Sequence, residues 1–313
     1  MQYQNWCGKP YYSLDAYCKN TYGEKLYKIA LDAGLSCPNR DGTLGTGGCI
    51  FCSAGGSGDF AVSTAVHPSI AEQLDAGRAL FRGKQTGHLA IAYFQAYTNT
   101  YGPLSYLRKI YEEALREPSV AGISIATRPD CIDDDILTLL VNLREQFSDK
   151  FVWIELGLQT IHQETADFIR RGYTLPVYDT CVDMLRQAQI PVITHVILGL
   201  PGEDSQMMLQ TIDHLNSNTW GIKLQLLHVL KGTKLAAYYE TGQYIPLSEE
   251  AYIDLVIACL EHLSPDIVVH RVTGDGPKDL LLAPLWSRNK RGVLNSLHHT
   301  MKIQSSYQGR LYP

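Results

Sequence analysis

The sequence predicts an α/β protein whose parallel strands form an open, partial barrel of about six β/α units. Short apolar runs alternate regularly with longer stretches whose apolar residues recur at helical spacing, from residue 26 to residue 273. The runs are apolar throughout, which is typical of parallel strands buried on both faces. Six units are too few to close an eight-stranded barrel, so we expect an open barrel with its functional loops at the carboxyl ends of the strands.

The predicted elements follow one another along the chain. We expect strands over residues 26–36, 89–95, 120–126, 151–159, 191–203, 221–230 and 266–272. We expect helices over residues 14–20, from 69 to near Gly83, and over 104–118, 177–189 and 248–263. Three further helices have one predicted end each: one ends at residue 147, one begins at about Gln163 and one ends at about Leu215. Ser69 and Glu72 have the spacing of a capping box, which predicts the start of the second helix.

Two segments flank the predicted barrel of residues 26–273. Residues 1–25 are aromatic and irregular, and we expect them to act as a lid or plug.

Residues 274–313 interrupt the alternation and form a basic C-terminal extension. After Asp279 this extension has no acidic residue, although the net charge of the chain is −5. Its basic residues lie among aromatic side chains, a pattern typical of segments that bind the phosphates and bases of a nucleic acid. The alternative interpretation is that the segment is a solvated helix face followed by a loose tail. The residues that we expect to bind nucleic acid are Arg288, Lys290, Arg291 and Lys302.

The composition is that of an ordinary soluble globular protein, with 45% hydrophobic and 19% charged residues. We find no apolar run long enough to cross a membrane and no signal peptide, so we expect a cytoplasmic protein that does not contact membranes. Eight cysteines in a chain of this length do not make a disulfide scaffold, and a reducing compartment favours metal binding over disulfides.

Three cysteines lie in one glycine-rich loop, CPNRDGTLGTGGCIFC, at residues 37–52. Cys37, Cys49 and Cys52 make three thiolates, whereas a structural zinc site or a ferredoxin cluster takes four protein ligands. Three ligands leave one metal position open, as a catalytic centre requires. The loop follows the first strand, so it lies where sites form in α/β folds. Taken alone, the spacing also allows a zinc site or a redox pair.

Polar side chains occur at the ends of the later strands or inside them. Glu155 and His195 interrupt apolar strands, and burial of a charge costs several kcal/mol unless the charge is paired or bound to a ligand. A structural salt bridge and a satisfied core histidine are the alternatives. We expect Glu155, His195 and Lys223 to be catalytic, because polar residues at five strand ends accompany a three-cysteine loop. Further candidates at this rim are Thr98, Asn99, Arg128, Gln159, Arg171, Gly199 and Gly202.

At these motifs the chain resembles a known family. CPNRDGTLGTGGCIFC, FQAYTNTY, ATRPDC, IELGLQT, RRGY and HVILGLPGE resemble motifs of the radical S-adenosylmethionine (SAM) superfamily, in the branch related to the catalytic subunit of Elongator. The likeness covers nearly the whole chain and extends to the bacterial YhcC/YtqA-like, or MnmL-like, proteins. The common superfamily spacing has three residues between the first two cysteines, and this loop has eleven. Elongator's catalytic subunit continues into an acetyltransferase domain for which this sequence has no room, so acetyl transfer is not implied.

The resemblance implies a radical SAM partial barrel that holds a [4Fe-4S] cluster and SAM. Cys37, Cys49 and Cys52 would hold the cluster, and SAM would bind its fourth iron. The resemblance also implies which residues contact SAM. Phe51 and the turn from Gly199 to Gly202 would lie against the adenine, and Thr98 and Asn99 would lie near the methionyl amino group. Arg128 and Glu155 would bind the carboxylate or ribose, with support from Gln159 and Arg171.

The resemblance also implies a mechanism and a substrate. An electron from a flavodoxin or ferredoxin would cleave SAM to methionine and a 5′-deoxyadenosyl radical, which takes a hydrogen atom from the substrate. The hypothesis for the substrate is the wobble uridine of tRNA, whose carboxymethylaminomethyl group would be trimmed to aminomethyl. Two alternatives are a radical SAM enzyme that acts on a small metabolite or peptide and a zinc- or cluster-stabilised RNA-binding module.

Overall fold

Two sheets organise the structure, a computed structural model that describes residues 5–81, 87–274 and 276–313. The strands are β1 (Tyr27–Leu31), β2 (Ala90–Phe94), β3 (Val120–Thr127), β4 (Phe151–Gln159), β5 (Val192–Leu198), β6 (Gly221–Leu226), β7 (Val229–Leu230), β8 (Val268–Arg271) and β9 (Leu281–Ala283). β1 to β6 and β8 form one parallel sheet in that order, and β7 pairs antiparallel with β9. The large sheet curves into a half-barrel whose edges are β1 and β8, which confirms the predicted α/β partial barrel.

Helices connect successive strands and cover the outer face of the half-barrel. They are α1 (Leu14–Tyr22), α2 (Ile70–Ala79), α3 (Leu104–Arg116), α4 (Asp134–Gln146), α5 (Gln163–Phe168), α6 (Leu175–Gln187), α7 (Ser205–Leu215), α8 (Lys234–Glu240), α9 (Glu249–His262) and α10 (Lys290–Ile303). Ser69 Oγ accepts a hydrogen bond from Glu72 N, and Glu72 Oε2 accepts one from Ser69 N, so the predicted capping box is present. The helix that it begins ends at Ala79, and Gly83 lies outside the described residues.

The last strands agree only in part with the sequence-based expectation. The predicted strand at 266–272 is present as β8, which pairs parallel with β6 after six β/α units. The run at 221–230 is divided, because Leu227 and Val229 leave the sheet and are buried beside Ile50 of the cysteine loop. The short helix α8, which the sequence did not predict, follows this division and starts with a Thr233 cap.

The N-terminal helix closes the end of the barrel that lies opposite the cysteine loop. Cys18 of α1 is buried against Ile91, Trp153 and Ile193, which stand at or near the amino ends of their strands. Because loops that follow parallel strands gather at the carboxyl ends, α1 is far from the cysteines. It therefore plugs the floor of the barrel instead of covering the mouth.

The C-terminal part packs on the outside of the barrel and returns to its floor. α10 packs against α9, and Gln308 donates hydrogen bonds to the carbonyls of Ser264 and Ile267. The Gln308 side chain also accepts a hydrogen bond from Tyr12 N, which ties the two ends of the described chain together. Among the described residues, no helix is both long enough and apolar enough to cross a membrane.

Candidate active site

The three loop cysteines line one small cavity at the carboxyl ends of the strands. Cys37, Cys49 and Cys52 surround a space of about 140 Å³. Within the ranges that the structure describes, no three His, Cys, Asp or Glu side chains are grouped closely enough to hold a single metal ion. The thiols thus surround the cavity and do not converge on one point. The predicted residues that share this lining are Phe51, Thr98, Arg128, Glu155, Gln159, Arg171 and His195.

A buried asparagine fixes the cysteine loop to the chain after α5. Asn39 Nδ2 donates to the carbonyls of Arg170 at 2.9 Å and Arg171 at 3.0 Å, and it lies 3.7 Å from Cys49 Sγ. Gly172 has a φ of +87°, and a Cβ there would lie 2.8 Å from Asn39 Oδ1. A glycine is therefore required for this close approach. The sequence offered no signal for Asn39, which looks like one more polar loop residue.

Positive charge at the rim favours a thiolate in the loop. A hydrogen bond with Cys52, together with the charges of Arg128 and Arg40, outweighs burial and lowers the pKa of Cys49 to about 7. The thiolate is the form of cysteine that binds metals. The surroundings of Cys49 are therefore suited to metal ligation before any metal arrives.

Glu155 is the centre of a buried charge network inside the barrel. Its Oε1 accepts hydrogen bonds from Lys28 Nζ and Ser124 Oγ, each at 2.6 Å. Its Oε2 contacts His195 Nε2 at 2.7 Å and Lys223 Nζ. Burial alone would raise the pKa of Glu155, but the charges of Lys223 and Lys28 and the contact with His195 hold it well below its ordinary value.

Glu155 lines the cysteine cavity, and its contact with the SAM carboxylate or ribose stays a prediction. A carboxylate has about four lone-pair sites, and the four protein partners of Glu155 occupy them. Lys223 and Lys28 both contact the Glu155 carboxylate, and Lys223 also donates to Tyr93 OH at 3.0 Å. Glu155 therefore organises the positions of its cationic neighbours.

One network member and one cation near it could have been found from the sequence. Lys28, the network member, interrupts the apolar strand YKIAL, the same signal that singled out Glu155 and His195, and Arg271 ends the strand VVHR. Ser124 and Tyr93 carry no such signal, because a small polar or aromatic residue is ordinary in a buried strand.

Arg128 and Arg171 hold the rim in shape around Tyr173. The Arg128 guanidinium donates to both carboxylate oxygens of Asp130, at 2.9 and 2.7 Å, and to the Arg171 carbonyl at 2.9 Å. Arg171 donates to the carbonyls of Tyr173, Leu158 and Thr160. Its Nη2 is buried and has no hydrogen-bond partner in the described part of the chain. This nitrogen can donate to an anionic ligand in the cavity.

Three predicted SAM contacts do not line the small cavity. Asn99 is fully buried, and its side-chain nitrogen donates to the carbonyls of Phe94 and Ala126, so it ties β2 to β3. Gly199 and Gly202 have φ values of +85° and +86° and shape the turn after β5. Tyr244 OH donates to the Gly199 carbonyl at 2.8 Å, which holds this turn beside the site and outside its lining.

A second, larger cavity of about 750 Å³ adjoins the first. The two share a wall that includes Phe51, Cys52, Tyr93 and Gln95. Lys223 lines this larger space, as do Lys28 and Arg271. A molecule in the larger cavity therefore lies against the residues that surround the cysteines.

The predicted nucleic-acid residues are divided between the mouth of the larger cavity and the outer surface. Lys290 lines that cavity, and Arg291 is exposed beside it. Lys302 is exposed in the last turn of α10, about 17 Å from Arg291 at 1.5 Å per residue. Arg288 donates to the carbonyls of Lys278 and Leu281. Arg288 precedes α10 and the other three residues lie along it, so the four do not form one compact cluster.

The site has the donor set that an iron–sulfur cluster and SAM require. Three thiols, a lowered cysteine pKa and a buried guanidinium nitrogen without a partner surround one cavity. An anionic cluster and the carboxylate of an amino acid both suit such surroundings.

The fold and this site define a radical SAM protein, and comparison with known proteins shows the same family. The chain belongs to the radical SAM superfamily: residues 42–215 match the model of that superfamily, and residues 219–303 match the Radical_SAM C-terminal domain. It is therefore related to enzymes that bind a [4Fe-4S] cluster and SAM, and these are its cofactors. Membership of this superfamily supports an enzyme over the alternative of a zinc- or cluster-stabilised RNA-binding module.

Individual relatives show which members of the superfamily this chain is similar to. The chain is 43% identical to the uncharacterized protein YtqA of Bacillus subtilis over 97% of this chain and 93% of that protein. It is 25% identical to the tRNA uridine(34) acetyltransferase of Methanocaldococcus jannaschii over 57% of this chain and 32% of that protein. Its fold resembles that of the archaeal Elp3 of Methanocaldococcus infernus, with a TM-score of 0.68 and 14% identity over 90% of this chain and 64% of that one.

Proposed function

We propose that this radical SAM enzyme modifies the side chain of the tRNA wobble uridine and converts a carboxymethylaminomethyl group to aminomethyl. The observation that carries the proposal is the shared wall between the cysteine-lined cavity and the 750 Å³ cavity, which is large enough to receive a nucleoside. A relative named for tRNA uridine 34 supports the choice of substrate. The site of action would then be the cytoplasm, where tRNA is modified.

Each group of residues has a role in this proposal. When bound, the cluster and SAM would supply the radical chemistry that takes a hydrogen atom from the methylene beside the substrate carboxylate. Loss of one further electron and hydrolysis of the resulting imine by water would release aminomethyluridine and glyoxylate, with SAM as the net two-electron oxidant. Cys37, Cys49 and Cys52 would hold the cluster. Arg171 Nη2, which is buried without a hydrogen-bond partner among the described residues, would donate to the SAM carboxylate. Phe51 and Tyr93 line both cavities and would keep water from the reacting atoms.

The basic residues of α10 would guide the RNA to the larger cavity. Lys290 lies in its lining and Arg291 at its edge, so a base flipped out of the anticodon loop would enter past them. Arg288 and Lys302 would contact the RNA backbone further away. A flavodoxin or ferredoxin would supply the electron.

The test is an anaerobic assay with the reconstituted enzyme, SAM, dithionite and tRNA that carries the carboxymethylaminomethyl group. We expect 5′-deoxyadenosine and aminomethyluridine in equal amounts, measured by mass spectrometry of the nucleosides. Release of 5′-deoxyadenosine with an intact modified nucleoside would contradict the tRNA proposal and favour a small metabolite or peptide. The Cys49→Ala variant, which should form neither product, is the control.

A further inference from the structure

The larger cavity has more cationic than anionic side chains in its lining. Lys28, Lys223, Arg271 and Lys290 all line it. Asp59 is the one carboxylate among the lining residues that the structure describes, and it accepts a hydrogen bond from Ser53 at 2.8 Å. Lys290 stands apart from the other three at the start of α10, and Lys28, Lys223 and Arg271 alone outnumber the one described carboxylate of this lining.

The buried network behind the wall does not balance this charge. Glu155 faces two lysine ammonium groups, with Lys28 Nζ at 2.6 Å and Lys223 Nζ also in contact. Arg271 pairs with Lys223 through the backbone of the sheet, but its side chain makes no hydrogen bond or ion pair with another described residue. Removing a cation from water costs several kcal/mol unless an anion compensates. Burial holds the pKa of Lys223 well below its ordinary value, although the charge of Glu155 opposes that shift. Arg271 is therefore a cation beside the cavity that no described carboxylate contacts.

The same cations retain hydrogen-bond donors. An ammonium group has three N–H donors. Lys28 directs two at Glu155 and His270 Nδ1, and Lys223 directs two at Glu155 and Tyr93 OH, so each retains one. Lys223 and Arg271 are register partners on β6 and β8, so their side chains lie at one level of the barrel.

We propose that Lys28, Lys223 and Arg271 form a binding site for an anionic group of the substrate, a carboxylate or a phosphate. The inference rests on the proposed function and names the part of the substrate that the cavity recognises. In the proposed wobble side chain this group is the carboxylate, whose neighbouring methylene would then lie near the wall shared with the cysteine cavity. Arg271 provides the fork that matches a carboxylate or phosphate, and the two lysines add point charges.

The test compares three anticodon stem-loop RNAs that differ only at the wobble position. One carries the carboxymethylaminomethyl group, one its neutral amide and one an unmodified uridine. Dissociation constants are measured by fluorescence anisotropy with reconstituted enzyme and SAM but without reductant. We expect the acid to bind roughly ten-fold more tightly than the amide, because a hydrogen bond to a charged group contributes about that much. Arg271→Gln should remove this preference, and Arg271→Lys should restore part of it.

Arg116→Gln is the matched control, because Arg116 is an exposed arginine on the outer helix α3. If Arg271→Gln instead weakens all three RNAs by the same factor, the anion is a backbone phosphate and the proposed site stands. If Arg271→Gln and Lys28→Gln both leave all three dissociation constants unchanged, the proposal is overturned.

A second measurement separates this proposal from the proposed function. Inorganic phosphate should raise the melting temperature of the wild-type protein, and the Arg271→Gln variant should lose that increase. Equal effects on both proteins would overturn the anion site whatever the RNA result. Failure of the wild-type protein to bind any of the RNAs, with phosphate stabilisation intact, would contradict only the tRNA proposal.

Discussion

Lys28 Nζ donates a hydrogen bond to Glu155 Oε1 at 2.6 Å and so joins the first strand of the sheet to the fourth across the barrel interior. Lys223, on the sixth strand, contacts the other oxygen of the same carboxylate. One glutamate thus connects three strands that are not all neighbours in the sheet. This contact spans the interior of the half-barrel and joins Lys28, which lines the larger cavity, to Glu155, which lines the cysteine cavity.

Glu155→Gln should destabilise the protein strongly, because it leaves Lys28 and Lys223 buried without an anion. Removing one partner of a buried ion pair costs about 3–5 kcal/mol. The measurement is the free energy of unfolding in urea. Glu112→Gln is the control, since Glu112 pairs with Arg108 and Arg116 at the surface and its loss should cost about 0–1 kcal/mol. Equal losses for the two variants would contradict the role assigned to Glu155.

Stability should fall as the pH decreases from about 6.5 to about 4. Burial, together with the charge of Lys223, lowers the pKa of His195 to about 4. In that window the unfolded histidine binds a proton and the folded one does not, so acid favours unfolding by up to about 1.4 kcal/mol per pH unit for this group. Burial also holds the pKa of His270 well below its ordinary value, so this residue adds to the slope.

His195→Asn should reduce that slope, and His299→Asn, at an exposed position on α10, should leave it unchanged. The measurement is the free energy of unfolding in urea at several pH values. A slope that is the same in both variants and the wild-type protein would show that His195 is not held neutral by its surroundings.

Cys49→Ala should abolish cluster binding. We expect the iron content after anaerobic reconstitution to fall from about four atoms per chain to background, with loss of 5′-deoxyadenosine formation. Cys7→Ser is the control, because Cys7 is exposed and does not line the cysteine cavity. Full iron content in Cys49→Ala would exclude Cys49 as a ligand.

Arg291→Gln and Lys302→Gln should each weaken tRNA binding and reduce the slope of log affinity against log salt by about 1. The two residues lie far apart along α10, so their effects should add. Dissociation constants at several salt concentrations provide the test, with Arg116→Gln as the unaffected surface control. An unchanged salt slope in both variants would mean that this face of α10 does not contact RNA.

The apolar strands and the cysteine spacing were sufficient to predict the fold and the position of the cluster loop. Parallel strands must be buried on both faces, so their composition is visible in the sequence. Glu155 and His195 were found because a charged or polar residue in such a strand requires a partner. Lys28 carried the same signal but was not recognised.

The sequence by itself determined the α/β class, the order of the strands and the three thiols that surround one cavity. The tertiary structure decided which side chains meet inside the barrel. Lys28 and Glu155 are 127 positions apart and Lys223 lies 68 positions beyond Glu155, so no local pattern could pair them. Strand periodicity shows only that a side chain points inward, whereas the partner it meets depends on the curvature and register of the whole sheet.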